Sequence, residues 1–97
     1  MKGFNMNLDS KIILVGTPVS VVKKVNKQNN SVYMLIQFLQ KDSDSGEVKL
    51  FEVKVEQAYL HNFADITEGK QVQVEILIKT FQNQMFIRGI RLLKIAK

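Results

Sequence analysis

Residues 71–95 read QVQVEILIKTFQNQMFIRGIRLLKI. Apolar residues alternate at Val72, Val74, Ile76 and Ile78, and again at Met85 and Ile87, on either side of the polar connection Gln82-Asn83-Gln84. A period of two places such residues on one face of a strand, so the stretch predicts a long antiparallel hairpin. Phe81 and Phe86 fall at its tip, with Lys79 and Arg88 just behind them. From residue 76 to the end there are five basic residues and no acidic one. Cations at a hairpin tip meet phosphates and flat rings meet bases, so this tip suits a single-stranded nucleic acid.

Upstream of the hairpin, three further strands are predicted. Residues 11–24, KIILVGTPVSVVKK, are rich in β-branched side chains and read as one long strand. Gly16 and Pro18 interrupt it, which marks a bulge or a bend. A first strand bent midway can pair with one sheet early and another late, as small barrels require. Residues 25–31, VNKQNNS, form a turn in which Asn29-Asn30 tolerates positive φ. Residues 32–40, VYMLIQFLQ, form the second strand, with Met34, Ile36 and Phe38 on one face and Tyr33, Leu35, Gln37 and Leu39 on the other. Both faces are partly apolar, so periodicity alone leaves the core side open.

Residues 41–46, KDSDSG, are a turn. Their Asp-x-Asp spacing is shared with calcium loops, but the other ligand positions and the distal Glu of that motif are missing. The third strand follows over residues 47–55, with Lys49, Phe51, Val53 and Val55 on one face. Residues 56–63, EQAYLHNF, break the alternation and fit about two turns of helix capping one end of a sheet. The segment 65–70 then turns into the fourth strand.

The element order is therefore β-β-β-α-β-β. We read the chain as all-β, a five-stranded OB-fold Greek-key barrel with a short helix between strands three and four. An SH3-like barrel is the main competitor, and the helix before the fourth strand favours OB. Residues 1–10 are expected to form a flexible N-terminal arm and residues 11–97 a single OB-fold nucleic-acid-binding domain. In such a fold the loop after strand one and the loop between strands four and five are expected on the same side, flanking a ligand face on strands two and three.

Charge supports that expectation. Residues 1–41 hold six lysines against Asp9, residues 42–75 hold three lysines against eight acids, and residues 76–97 hold only the five cations. The partition runs +5, −5, +5, and both positive regions fall on the two loops, with the acidic segment mostly away from them. A net charge of +5 favours a polyanionic partner.

Several function classes drop out. The chain has no cysteine and one histidine, so thiolate chemistry, a His-based metal site and the usual nucleophile–base pairs are disfavoured. His61 and Asp65, four residues apart, read as surface decoration. The five glycines are scattered and build no phosphate loop. We expect no enzyme, no cofactor, no metal and no small-molecule substrate. No apolar run reaches the roughly 20 residues of a membrane span, and the first ten residues lack a secretory apolar core, so a cytoplasmic protein is expected.

Particular residues are candidates for contact with a nucleic acid. Lys23, Lys24, Lys27, Lys79 and Arg88 are the phosphate candidates. Tyr33, Phe81, Phe86 and Phe51 are the stacking candidates, and Gln37 is a candidate for a base edge. Lys49 shares a face with Phe51, which suits a binding surface; Val53 and Val55 share it too, which suits a core. Phe81 and Phe86 flank a tip too small to bury both, and a protomer contact is the alternative use of either.

Residues 79–97, KTFQNQMFIRGIRLLKIAK, resemble the single-stranded DNA-binding, helix-destabilising proteins of filamentous phages: a Phe-containing hairpin tip, a Met/Ile strand, an Arg-x-x-Leu-type run and a final Ala-Lys. Residues 27–37 are similar more weakly, with Tyr33 after a polar, basic turn. The resemblance implies an OB-type fold, a homodimer and sequence-tolerant coating of single-stranded DNA during replication of a phage or mobile element. Two alternatives are a protein-interaction OB module in a replication complex and an RNA-binding OB module of the cold-shock type; the 8% aromatic content argues against the last.

Overall fold

A computed structural model describes residues 12–96. The predicted N-terminal arm lies outside them, as do Lys11 and Lys97. The described residues form six strands and one short helix: β1 (Ile12–Gly16), β2 (Pro18–Val25), β3 (Val32–Lys41), β4 (Val48–Val55), a 3₁₀ helix (Gln57–Phe63), β5 (Val72–Phe81) and β6 (Gln84–Ile95). All six belong to one sheet in the order β1-β5-β6-β4-β3-β2. Every pairing is antiparallel except β4 with β6, which meet in parallel at Lys54 and Arg88.

The expected first strand is two strands. β1 pairs with β5 and β2 pairs with β3, so the chain changes partner at Thr17. Gly16 sits at the change because the Phe38 ring lies beneath it; a Cβ there would come within 3.0 Å of Phe38 Cδ1. Pro18, which has no N–H to give a ladder, opens β2, and the register shifts between Pro18 and Ser20. The shift is filled from outside: Gly69 N–H donates to the Pro18 carbonyl at 2.9 Å, and Val21 N–H donates to Glu68 Oε2 at 3.0 Å. The expected closed five-stranded barrel is thus replaced by a six-stranded sheet whose ladder is open. Its two edge strands, β1 and β2, are joined through Thr17 and not by ladder bonds.

The predicted hairpin is present with a tighter tip. Gln82 and Asn83 form a two-residue turn with φ of 51° and 65°. Positive φ at both positions matches the right-handed twist of the flanking strands. Two register shifts along β5–β6 insert extra residues into β6. Such bulges bend a strand and increase its twist, which lets β6 leave β5 for β4. At Gly89 the bent strand presses onto the core: a Cβ there would lie 2.9 Å from both Phe63 Cζ and Val55 Cγ2.

The core holds Met34, Ile36, Phe38, Val53, Val55, Phe63, Ile66, Val72, Val74 and Ile76, with no buried polar side chain among the described residues. This settles the ambiguity of β3: its Met34–Ile36–Phe38 face is the inner one. The helix is 3₁₀ rather than α, and its job is to plug one end of the core with Phe63. It is pinned on two sides, by Val32 N–H donating to Gln57 Oε1 at 2.8 Å and by Asn62 Nδ2 donating to the Ile90 carbonyl at 3.0 Å.

Strand directions also correct the expected placement of the loops. The β2–β3 turn lies at the start of β3, near the 3₁₀ helix. Because β6 runs parallel to β4, the β5–β6 tip lies at the other end of the sheet, with the acidic β3–β4 turn. The two basic regions do not share one side; the sheet face spans the distance between them.

Candidate nucleic-acid interface

Cross-strand register decides which side chains share that outer face, since directly opposed residues point the same way. Lys24 of β2 is opposite Tyr33 of β3, and Leu35 of β3 is opposite Lys54 of β4. Lys54 meets Arg88 of β6, Arg88 is opposite Leu77 of β5, and Phe86 is opposite Lys79. The outcome is a row across five strands in which cations and rings interleave: Lys24, Tyr33, Lys54, Arg88, Phe86, Lys79.

Contacts within the row are specific. The Lys54 ammonium sits 4.7 Å from the centre of the Tyr33 ring, and the Arg88 guanidinium lies 5.4 Å from the centre of the Phe86 ring. Cation–π pairs of this kind at exposed sites contribute about 0.5–1 kcal/mol, enough to orient a side chain. Arg88 is also held by Glu56, Nε to Oε2 at 3.8 Å, and is half-buried. Beyond the Lys54–Arg88 contact β4 and β6 diverge. A groove opens between them, with Leu35, Phe51, Met85 and Ile87 as apolar walls and Lys54 and Arg88 at its closed end.

The remaining predicted residues fall elsewhere. Lys23 is opposite Met34 and therefore points to the inner side of β2, away from Lys24, although it is exposed. Lys49 is opposite Gln40 and Phe51 opposite Phe38, both on the inner side of β4. The Phe51 ring stacks on Phe38, centres 5.4 Å apart and planes 21° apart, so Phe51 extends the core toward the groove. Gln37 is on the outer face and donates through Nε2 to Glu52 Oε2 at 3.2 Å. Lys27 is exposed in the β2–β3 turn. That turn is built by its own side chains: Asn26 Oδ1 accepts from Gln28 N–H, and Asn29 Oδ1 accepts from Ser31 N–H. Phe81, opposite Gln84 beside the tip, is 65% exposed, while Phe86 is half-buried.

Lys54 and Glu52 are the residues that sequence reasoning missed. Alternation in β4 drew attention to Lys49, Phe51, Val53 and Val55. The other parity, Leu50, Glu52 and Lys54, carries the outer face. Once Val53 and Val55 are taken as core, Lys54 must face out, and that signal was available in the sequence.

No protein-family model and no curated sequence matches the chain. Solved structures do. It is similar to the mitochondrial single-stranded DNA-binding protein Rim1 of S. cerevisiae, with a TM-score of 0.65 at 18% identity over 91% of this chain and 94% of that one. A second structure of the yeast protein gives 0.57 at 20% identity, over 91% and 97% of the two chains. A small single-stranded DNA-binding protein from Mycoplasma pneumoniae gives 0.53 at 9% identity, over 87% and 91%. The chain shares their OB-like fold. These neighbours are mitochondrial and bacterial, whereas the resemblance read in residues 79–97 is to phage proteins. Among the described residues no helix is long and apolar enough to cross a membrane.

Proposed function

We propose that this chain binds single-stranded DNA without performing chemistry on it, laying the strand across the outer face of β2, β3, β4, β6 and β5. The observation that carries this reading is the interleaved row Lys24–Tyr33–Lys54–Arg88–Phe86–Lys79. Its rings, Tyr33 and Phe86, each stand between cations, which suits a strand whose bases stack while its backbone meets positive charge on either side. The fold it shares with proteins named for single-stranded DNA binding supports the same reading.

Affinity comes mainly from counterion release, and stacking adds roughly 1–3 kcal/mol per base. Lys54 links the two: a base that takes the Tyr33 face displaces the ammonium from the ring, and its flexible stem carries it to a phosphate. A homodimer, and service in the replication of a phage or mobile element, rest on the resemblance of residues 79–97 to the filamentous-phage proteins.

The test is a fluorescence-anisotropy titration of labelled oligo-dT, oligo-rU and a duplex at two salt concentrations. Tight binding to oligo-dT over duplex that weakens steeply with salt is the expected result. Absence of binding to all three at low salt would overturn it. A second reading, a protein-interaction module, has one observation in its favour: Phe81 and Met85 are 65% and 64% exposed beside the hairpin tip. An apolar protein contact responds weakly to salt, so the same titration repeated against a candidate protein separates the two.

A further inference from the structure

The outer face carries one carboxylate that phosphate binding does not explain. Glu52 lies two residues before Lys54 on the same side of β4 and directly opposite Gln37 of β3. It is exposed, so it has no role in packing the core. It is not spent on a neighbouring cation either, for the carboxylate's contact is with Gln37, whose Nε2 donates to Oε2 at 3.2 Å. Ser20 stands opposite Gln37 on β2, and Val22 and Leu35 border the same shallow depression.

A carboxylate beside Lys24 and Lys54 repels any phosphate placed over it, so the strand must present a base there and carry its backbone along the cations on either side. We propose, building on the single-stranded DNA reading above, that the Gln37–Glu52 pair reads that base and favours guanine over thymine. The Gln37 hydrogen bond holds Oε2 in place and leaves Oε1 as an acceptor. The second N–H of the Gln37 amide remains a donor beside it. Guanine presents two donors, N1–H and N2–H, side by side with the O6 acceptor. The carboxylate accepts from both donors, and the free Gln37 N–H donates to O6. Cytosine and adenine offer an amino group to the carboxylate beside a ring-nitrogen acceptor for the amide, one donor group fewer than guanine. Thymine matches guanine at two of the three positions, N3–H toward the carboxylate and O4 toward the Gln37 N–H, but its O2 stands where guanine has N2–H and meets a carboxylate lone pair.

The experiment compares two oligonucleotides of about 15 nucleotides, near the upper site size of one such fold. One is oligo-dT; the other has isolated guanines spaced through the thymines so that no quadruplex forms. The full chain is expected to bind the guanine-bearing strand about fivefold more tightly, the low end of what one good base-edge pair discriminates. Glu52→Gln should bind both strands more tightly than wild type, since a repelling charge is gone, and should erase the difference between them. Glu47→Gln is the control: it also removes a negative charge, from the exposed residue just before β4, but leaves the guanine preference intact. Equal binding of both strands by wild type, or a preference that survives Glu52→Gln, overturns the proposal while leaving single-stranded DNA binding standing. Failure of wild type to bind either strand at low salt overturns the underlying reading as well.

Discussion

The two faces of the β3–β4 pair are made from adjacent residues and obey different physics. At the core end of the pair the inner face, Met34, Ile36 and Phe38 with Val53 and Val55, is buried and apolar. The outer face, Tyr33, Leu35 and Gln37 against Glu52 and Lys54, is half-exposed and mixed. One residue of strand separates a side chain whose loss opens a cavity from one whose loss frees a ligand. Stability and binding are therefore expected to separate by parity along these strands.

The sharpest break comes from the inner face. Phe38→Ala removes a fully buried ring that supports both Gly16 and Phe51, and should cost about 3–5 kcal/mol of unfolding free energy. Chemical denaturation measures it; a change under about 1 kcal/mol would mean the inner face is not a packed core. The outer-face counterpart, Tyr33→Ala, should cost roughly 1–3 kcal/mol of DNA affinity and leave the denaturation midpoint nearly in place. If midpoint and affinity fall together, the two faces are not separable at that position.

Lysines sharpen the comparison further. Lys24→Ala and Lys54→Ala should each lower the slope of log affinity against log salt by about 0.7, the single-strand value per phosphate contact. Lys23→Ala and Lys49→Ala, on the inner parity, should change it far less. Equal effects from all four would mean that the strand wraps both faces. The smallest expected effect is at the turn joining β3 and β4. There the Asp44 N–H donates to Asp42 Oδ1 at 2.9 Å and, with Ser45, holds the Asp42 carboxyl below its usual range. A depressed folded-state pKa contributes stability that is present above the unfolded value and lost as pH falls through the folded one. Asp42→Asn should therefore make the acid limb of the stability curve, below about pH 4, slightly shallower.

Strand existence was legible throughout, because β-branched runs and period-two alternation survive in β3, β4, β5 and β6. The division of the first strand was legible only as a bend: Gly16 and Pro18 flag an interruption, but the exchange of partner from β5 to β3 is a long-range event. The helix type was not legible either. Seven residues are too few for helical periodicity to tell 3₁₀ from α, and tertiary pins at Gln57 and Asn62 set the geometry. Reading Lys23, Lys24 and Lys27 as one cluster overlooked that neighbours on a strand face opposite ways. The pairing of Tyr33 with Lys54 needed the register of β3 against β4, which the turn at residues 42–46 fixes and no local pattern announces.

The change of partner at Thr17 has a consequence for the order in which the molecule comes to exist. β2, β3 and β4 follow one another as hairpins and can pair as soon as residue 55 is made. β1, made before them, has no partner until residues 72–76 arrive. Throughout that interval a strand bearing Ile12, Ile13 and Val15 waits with its backbone unpaired, a template for any passing strand. Pulse-labelled hydrogen exchange during refolding should protect Val22 and Leu35 before Leu14. Among the described strands, the first to be synthesised thus waits longest for its partner.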